Sequence, residues 1–113
     1  MLNETQALEL ASSPEKIIDP SDCTVIIGFL NGTITDLENL GWEKQLVANQ
    51  HKVTLLNEPE NTNAKAEALW KISTEYQEWQ AVVRTIRKFK AFRNALKSRH
   101  DDLAGTRPYI RNQ

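Results

Sequence analysis

The 113 residues are 40% hydrophobic and 26% charged with a net charge of −1, which excludes wholesale disorder and suits one modest core but not two. No apolar run nears the roughly 18 residues a membrane span needs, and a single cysteine, Cys23, excludes an internal disulfide. The small net charge hides a segregation: residues 1–70 carry 4 basic and 11 acidic side chains, and residues 71–113 carry 10 and 4.

Either the two halves neutralise each other on folding, or the basic half meets an outside anion. The N-terminus has no basic stretch leading into an apolar core, so no secretory leader is expected. With one cysteine and no leader, the chain reads as cytoplasmic. The glycosylation match Asn31-Gly32-Thr33 is then a coincidence of composition.

Residues 1–19 read as a peripheral N-terminal segment, with a short helix from Asn3 to Ala11 and a helix-start signal at Ser13-Pro14. Asp19-Pro20-Ser21-Asp22 is a stronger start: a cap, a proline at the first helical position and an acid in the first turn.

The next stretch has two readings. Thr24–Leu30, Asn31-Gly32 and Thr33–Asp36 resemble two strands around a tight primed turn. Alternatively, Ile26, Leu30, Ile34, Leu37, Gly41, Lys44, Val47, His51 and Leu55 share one helix face, at a cost of about 1 kcal/mol for each of Gly28 and Gly32 relative to Ala. Length favours the helix, because a run from Pro20 to about Leu56 nearly matches the helix that follows.

Asn57-Glu58-Pro59-Glu60 breaks the chain, and Asn57, Asn61, Thr62 or Asn63 can cap what comes next. From Asn61 to Leu103 there is no Gly or Pro. One helix of that length would reach about 64 Å, further than a domain of this size is wide, so it must lie along a partner. Leu69, Ile72, Tyr76, Trp79, Val83 and Ile86 alternate by three and four, the spacing of an oligomer seam. Beyond it the apolar positions slip to Phe89, Phe92 and Leu96, so the buried face turns near Phe89. Gly105 stops the helix, and 105–113 reads as a mobile basic tail.

Seven cations and no acid lie between Arg84 and Arg99. On a helical wheel Arg84, Arg87, Lys88 and Arg99 fall together, and with Arg107 and Arg111 they form a candidate phosphate-tracking ridge for DNA or RNA. An acidic protein surface is the alternative partner, and an ordinary solvated face is the plain reading. Phe89 and Phe92 read as core, Tyr109 as the ring best placed to stack on a base. Trp42, Trp70 and Trp79 read as packing residues, with Trp70 just off the stripe.

The glycines are scattered singly, so there is no phosphate loop. Cys23, His51 and His100 lack zinc-like spacing, and no metal or other cofactor is expected. Ser98 and His100 stand two apart on a helix and do not face each other; His100-Asp101-Asp102 is the one local constellation, better explained by the helix dipole. The chain is therefore expected to be non-enzymatic. The expected fold is all-α: a long antiparallel two-helix hairpin over 20–104 with a short N-terminal helix, which leaves apolar surface bare and so self-associates into a helical bundle. The expected function is nucleic-acid backbone binding by a homo-oligomer that does not enter the membrane, with a protein–protein adaptor as the alternative.

Overall fold

The computed structural model describes residues 2–105, and every regular element in them is helical: α1 Glu4–Ala11, a short 3-10 turn at Pro14–Lys16, α2 Pro20–Asn57, α3 Asn63–Lys71 and α4 Thr74–Ala104. Two compact units divide this chain, one of residues 2–34 and 87–105, the other of residues 35–86, each with a buried cluster of its own, so the single core expected from chain length is corrected. Helices α2 and α4 contribute to both.

The first unit begins with a reciprocal cap. The Asn3 side chain accepts from the Gln6 backbone at 2.8 Å, and the Gln6 side chain accepts from the Asn3 backbone at 3.1 Å. This satisfies two N–H groups that a helix start otherwise leaves bare. Ala7 and Ala11, four apart, then face inward and are fully buried. With Ile17 they join Cys23, Ile26, Leu30, Ile34 and Leu96 in one core. The N-terminal segment, expected as peripheral, is thus part of the core; its short alanine face gave too little periodicity to signal this. Phe89 and Phe92 pack against the same cluster, as their place on the apolar side of α4 required.

Residues 24–36 are helix, without strand or turn. Ile26, Leu30 and Ile34 repeat every four residues and are all buried, and that burial outweighs the glycine penalties at positions 28 and 32. The start at Pro20 follows the sequence signal: an Asp19 carboxylate oxygen accepts from the Ser21 backbone at 2.9 Å and from its hydroxyl at 2.8 Å. Gly105, at φ +66°, ends α4 in the left-handed conformation that glycine tolerates best.

The second unit turns at Glu58–Asn61. The Asn61 side-chain amide donates to the Leu55 carbonyl at 2.9 Å, satisfying the end of α2, and Thr62 caps α3 by accepting from the Lys65 backbone at 3.1 Å. The single helix expected over 61–103 is corrected here, because the chain breaks at Ile72-Ser73. The Ser73 hydroxyl donates to the Trp70 carbonyl at 2.6 Å and accepts from the Tyr76 backbone at 3.2 Å, closing α3 and opening α4. The Gln77 side chain adds a bond to the Lys71 carbonyl at 2.7 Å.

The break has a packing cause. Nine residues of straight helix would put Trp70 and Trp79 on opposite sides. Across the break their ring centroids stand 6.2 Å apart, and Tyr76 lies edge-on to Trp70 at 4.7 Å and to Trp79 at 5.9 Å. Trp70 is buried with Ala48, Leu55 and Ala66. Ile72 is left 76% exposed at the junction.

Candidate interaction surfaces

In the second unit, α2 has two unlike faces. The inner one carries Gly41, Ala48 and Leu55, all buried. Gly41 lets Val82 and Ile86 of α4 come close: a Cβ there would stand 3.6 and 3.7 Å from their side chains. Lys44 pairs with Glu78 at 3.0 Å at the margin of this face, and the Lys52 ammonium lies 4.3 Å from the Trp70 ring centroid.

The outer face is bare. Trp42 is 71% exposed, Leu46 60% and Val53 55%, with Leu40, Val47 and Leu56 also exposed. Trp42, Leu46, Asn49, Val53 and Leu56 alternate by four and three, so they form a stripe along the helix. Trp42, read from sequence as a packing residue, is corrected by this exposure. Trp42 also lines an open cleft of about 210 Å³ with Trp79, Val83 and Ile86. Sequence reading missed the stripe because Gln45, Asn49 and Gln50 dilute it; the signal was that the row Trp42, Leu46, Asn49, Val53 and Leu56 holds no charged residue.

The residues of the expected oligomer seam are placed as follows. Leu69, Tyr76 and Trp79 pack against the internal cluster around Trp70. Val83 and Ile86 are half-buried beside Gly41 and Trp42. Ile72 stands apart at the helix break.

The candidate ridge on α4 separates into two kinds of cation. Arg84, in the second unit, and Arg87 and Lys88, in the first, are exposed. The Lys88 ammonium lies 5.8 Å from the Phe92 ring centroid. Arg99 is spent inside the first unit: its Nε and Nη2 both donate to the Ile17 carbonyl, at 3.0 and 2.8 Å, and Nη2 reaches Glu15 O at 3.4 Å. Arg93 likewise donates to the Asn31 side chain at 3.0 Å. These two positions hold backbone and side-chain acceptors of their own unit, which no charge pattern in a sequence reveals. Arg107, Tyr109 and Arg111 lie outside the described residues.

The chemistry of the remaining groups is quiet. Burial raises the Cys23 thiol above its ordinary value, partly offset by the Arg99 guanidinium, so the thiol stays protonated. His100 Nδ1 lies 3.4 Å from Asp101 beside a shallow pocket of about 200 Å³ that Thr24, Ile27 and Lys97 share. Among the described residues no three His, Cys, Asp or Glu side chains gather where they would hold a metal ion. No described helix is long and apolar enough to cross a membrane. Comparison with protein-family models, with curated proteins and with solved structures finds no match to this chain.

Proposed function

We propose that this chain is a non-enzymatic assembly protein that joins other protein helices through the outer face of α2. One observation carries the reading: six large apolar side chains between Leu40 and Leu56 are exposed on a single helix. Full burial of a Leu or Val is worth about 1.5–3 kcal/mol, and a monomer gains nothing from leaving it in water. Tryptophan, which Trp42 supplies near the N-terminal end of this face, is among the residue types that most often anchor a protein interface. The test is a photoreactive amino acid at Val53, irradiated in the cells that produce the protein, with Asn94 as control. Adducts to protein from Val53 and none from Asn94 are expected; the absence of any adduct at Val53 sinks the reading.

A second reading, nucleic-acid backbone binding, rests on Arg84, Arg87 and Lys88, which are exposed on α4 within a stretch free of acids. It ranks second because Arg93 and Arg99 serve internal bonds. Titration with single- and double-stranded DNA and RNA at several salt concentrations tests it. Affinity falling steeply with salt, with a shallower slope after Arg84, Arg87 and Lys88 are changed to Ala, is the expected signature.

A further inference from the structure

We infer that the first occupant of the α2 outer face is a second copy of this chain, paired antiparallel about a two-fold axis near residues 47–48; this rests on the proposed assembly role of that face. Trp42, Leu46, Asn49, Val53 and Leu56 have the spacing of a two-helix seam, and all five are exposed. Self-pairing needs a face complementary to itself, and this one is. In an antiparallel seam, positions of one heptad type face those of the other. Trp42 then meets the partner's Val53, a large ring against a small side chain, and Leu46 meets the partner's Asn49. The reciprocal contacts follow from the axis.

Polar and charged groups select the orientation. Antiparallel pairing sets Glu43 beside the partner's Gln50 on both sides of the axis, with no like charges opposed. Parallel pairing stacks Trp42 on the partner's Trp42 and sets Glu38 beside the partner's Glu43, a like-charge contact repeated on both sides. In the antiparallel arrangement the two Asn49 amides lie diagonally across the axis, within reach of each other. A single polar residue in a seam fixes register at some cost in stability. The apolar surface these exposures leave is on the order of 500 Å² per copy, the upper end for the largest patch of a monomer. Covering it on two copies reaches about 1,000 Å², the lower limit of a specific interface, which makes the pairing a weak, reversible one.

Sedimentation velocity of the full chain, from low to high micromolar, tests the pairing. A concentration-dependent dimer is expected. Val53→Glu and Leu46→Glu each raise the dissociation constant about 100-fold or more, with helical circular dichroism unchanged because neither side chain belongs to the core. Gln50→Glu raises it about 3- to 10-fold by facing the partner's Glu43, and added salt reduces that effect. A wild-type monomer at every concentration overturns the inference, and so does a dimer that survives both glutamate variants in folded form. Monomerisation by Val53→Glu with no effect of Gln50→Glu overturns the antiparallel arrangement. A monomer whose Val53 photoadduct is to another protein defeats self-pairing alone and leaves the assembly role standing.

Discussion

The indole Nε1 of Trp70 donates to the backbone carbonyl of Ala48 at 2.8 Å, joining α3 to α2 across 22 residues of sequence. The Ala48 carbonyl lies in a helix interior where its own ladder bond is already made, and it offers its second lone pair to the ring. A buried indole N–H without a partner would cost more than the bond itself contributes, so this contact fixes which way the ring enters the core.

Replacing Trp70 by Phe is expected to lower unfolding free energy by about 0.5–1.5 kcal/mol for the lost bond, and Trp70→Ala by about 3–5 kcal/mol. Urea unfolding followed by circular dichroism measures both. Equal loss for the two variants would show that ring packing contributes nothing here.

Ser73 holds both sides of the α3–α4 junction. Ser73→Ala removes its two bonds and should cost about 0.5–2 kcal/mol, while Ser73→Asp, which still accepts from the Tyr76 backbone, should cost less. Denaturant midpoints at constant slope give the comparison.

Arg99 donates from two nitrogens to one carbonyl, that of Ile17. Arg99→Ala should cost about 1.5–3 kcal/mol, the worth of hydrogen bonds from a charged group. Lysine offers a single ammonium and should recover only part of it. Hydrogen exchange should show faster opening of Glu4–Ala11 in both variants; unchanged protection there would remove Arg99 from its role in holding the N-terminal segment.

Asp19 carries an acid-sensitive cap. Hydrogen bonds from the Ser21 backbone, and then from its hydroxyl, lower the Asp19 pKa in the folded chain. A carboxyl whose folded pKa is depressed stabilises the fold above its unfolded pKa, and that contribution is lost as pH falls through the folded value. The stability difference between wild type and Asp19→Ala should therefore be constant from neutral pH down to about 4 and shrink below it. A difference that stays flat to strongly acid pH would refute the assignment.

Helical glycines should respond in opposite senses to the terminal one. A Cβ at Gly28 or Gly32 meets nothing within 4 Å, so Ala at either position should stabilise by about 0.5–1 kcal/mol. At Gly105, where φ is +66°, Ala should destabilise by about 1–2 kcal/mol. Thermal melts of the three single variants check the signs.

Much of this fold was legible where local chemistry and burial agree. Asp19-Pro20 starts α2, Pro59 falls in the turn after it, and Gly105 ends α4, each by a mechanism contained in two or three residues. The Asn31-Gly32 pair was ambiguous because it is also the strongest signal for a tight turn; only the buried row Ile26, Leu30 and Ile34 decides it. Ser73-Thr74-Glu75 is a cap signal, yet it sits in a run whose periodicity continues across it, and a residue-by-residue pattern cannot register that Trp70 has to rotate toward Trp79. The candidate surface was less legible still. Arg99 and the exposed Arg87 look alike in sequence, and the acceptor that claims Arg99 is a main-chain carbonyl that carries no side-chain signature. Trp42 is apolar and central in α2, so composition alone placed it inside.

The junction at Ile72-Ser73 also resets angular phase. In one unbroken rod, each residue inserted or deleted turns everything beyond it by about 100°, and a single change upstream would swing the apolar side of α4 away from α2. Because α4 begins anew at Ser73, its phase is set by the bonds at the joint and not by the number of residues before it. A residue added to the turn at Glu58–Asn61 would therefore leave Trp79, Val82 and Ile86 with their bearing on Gly41.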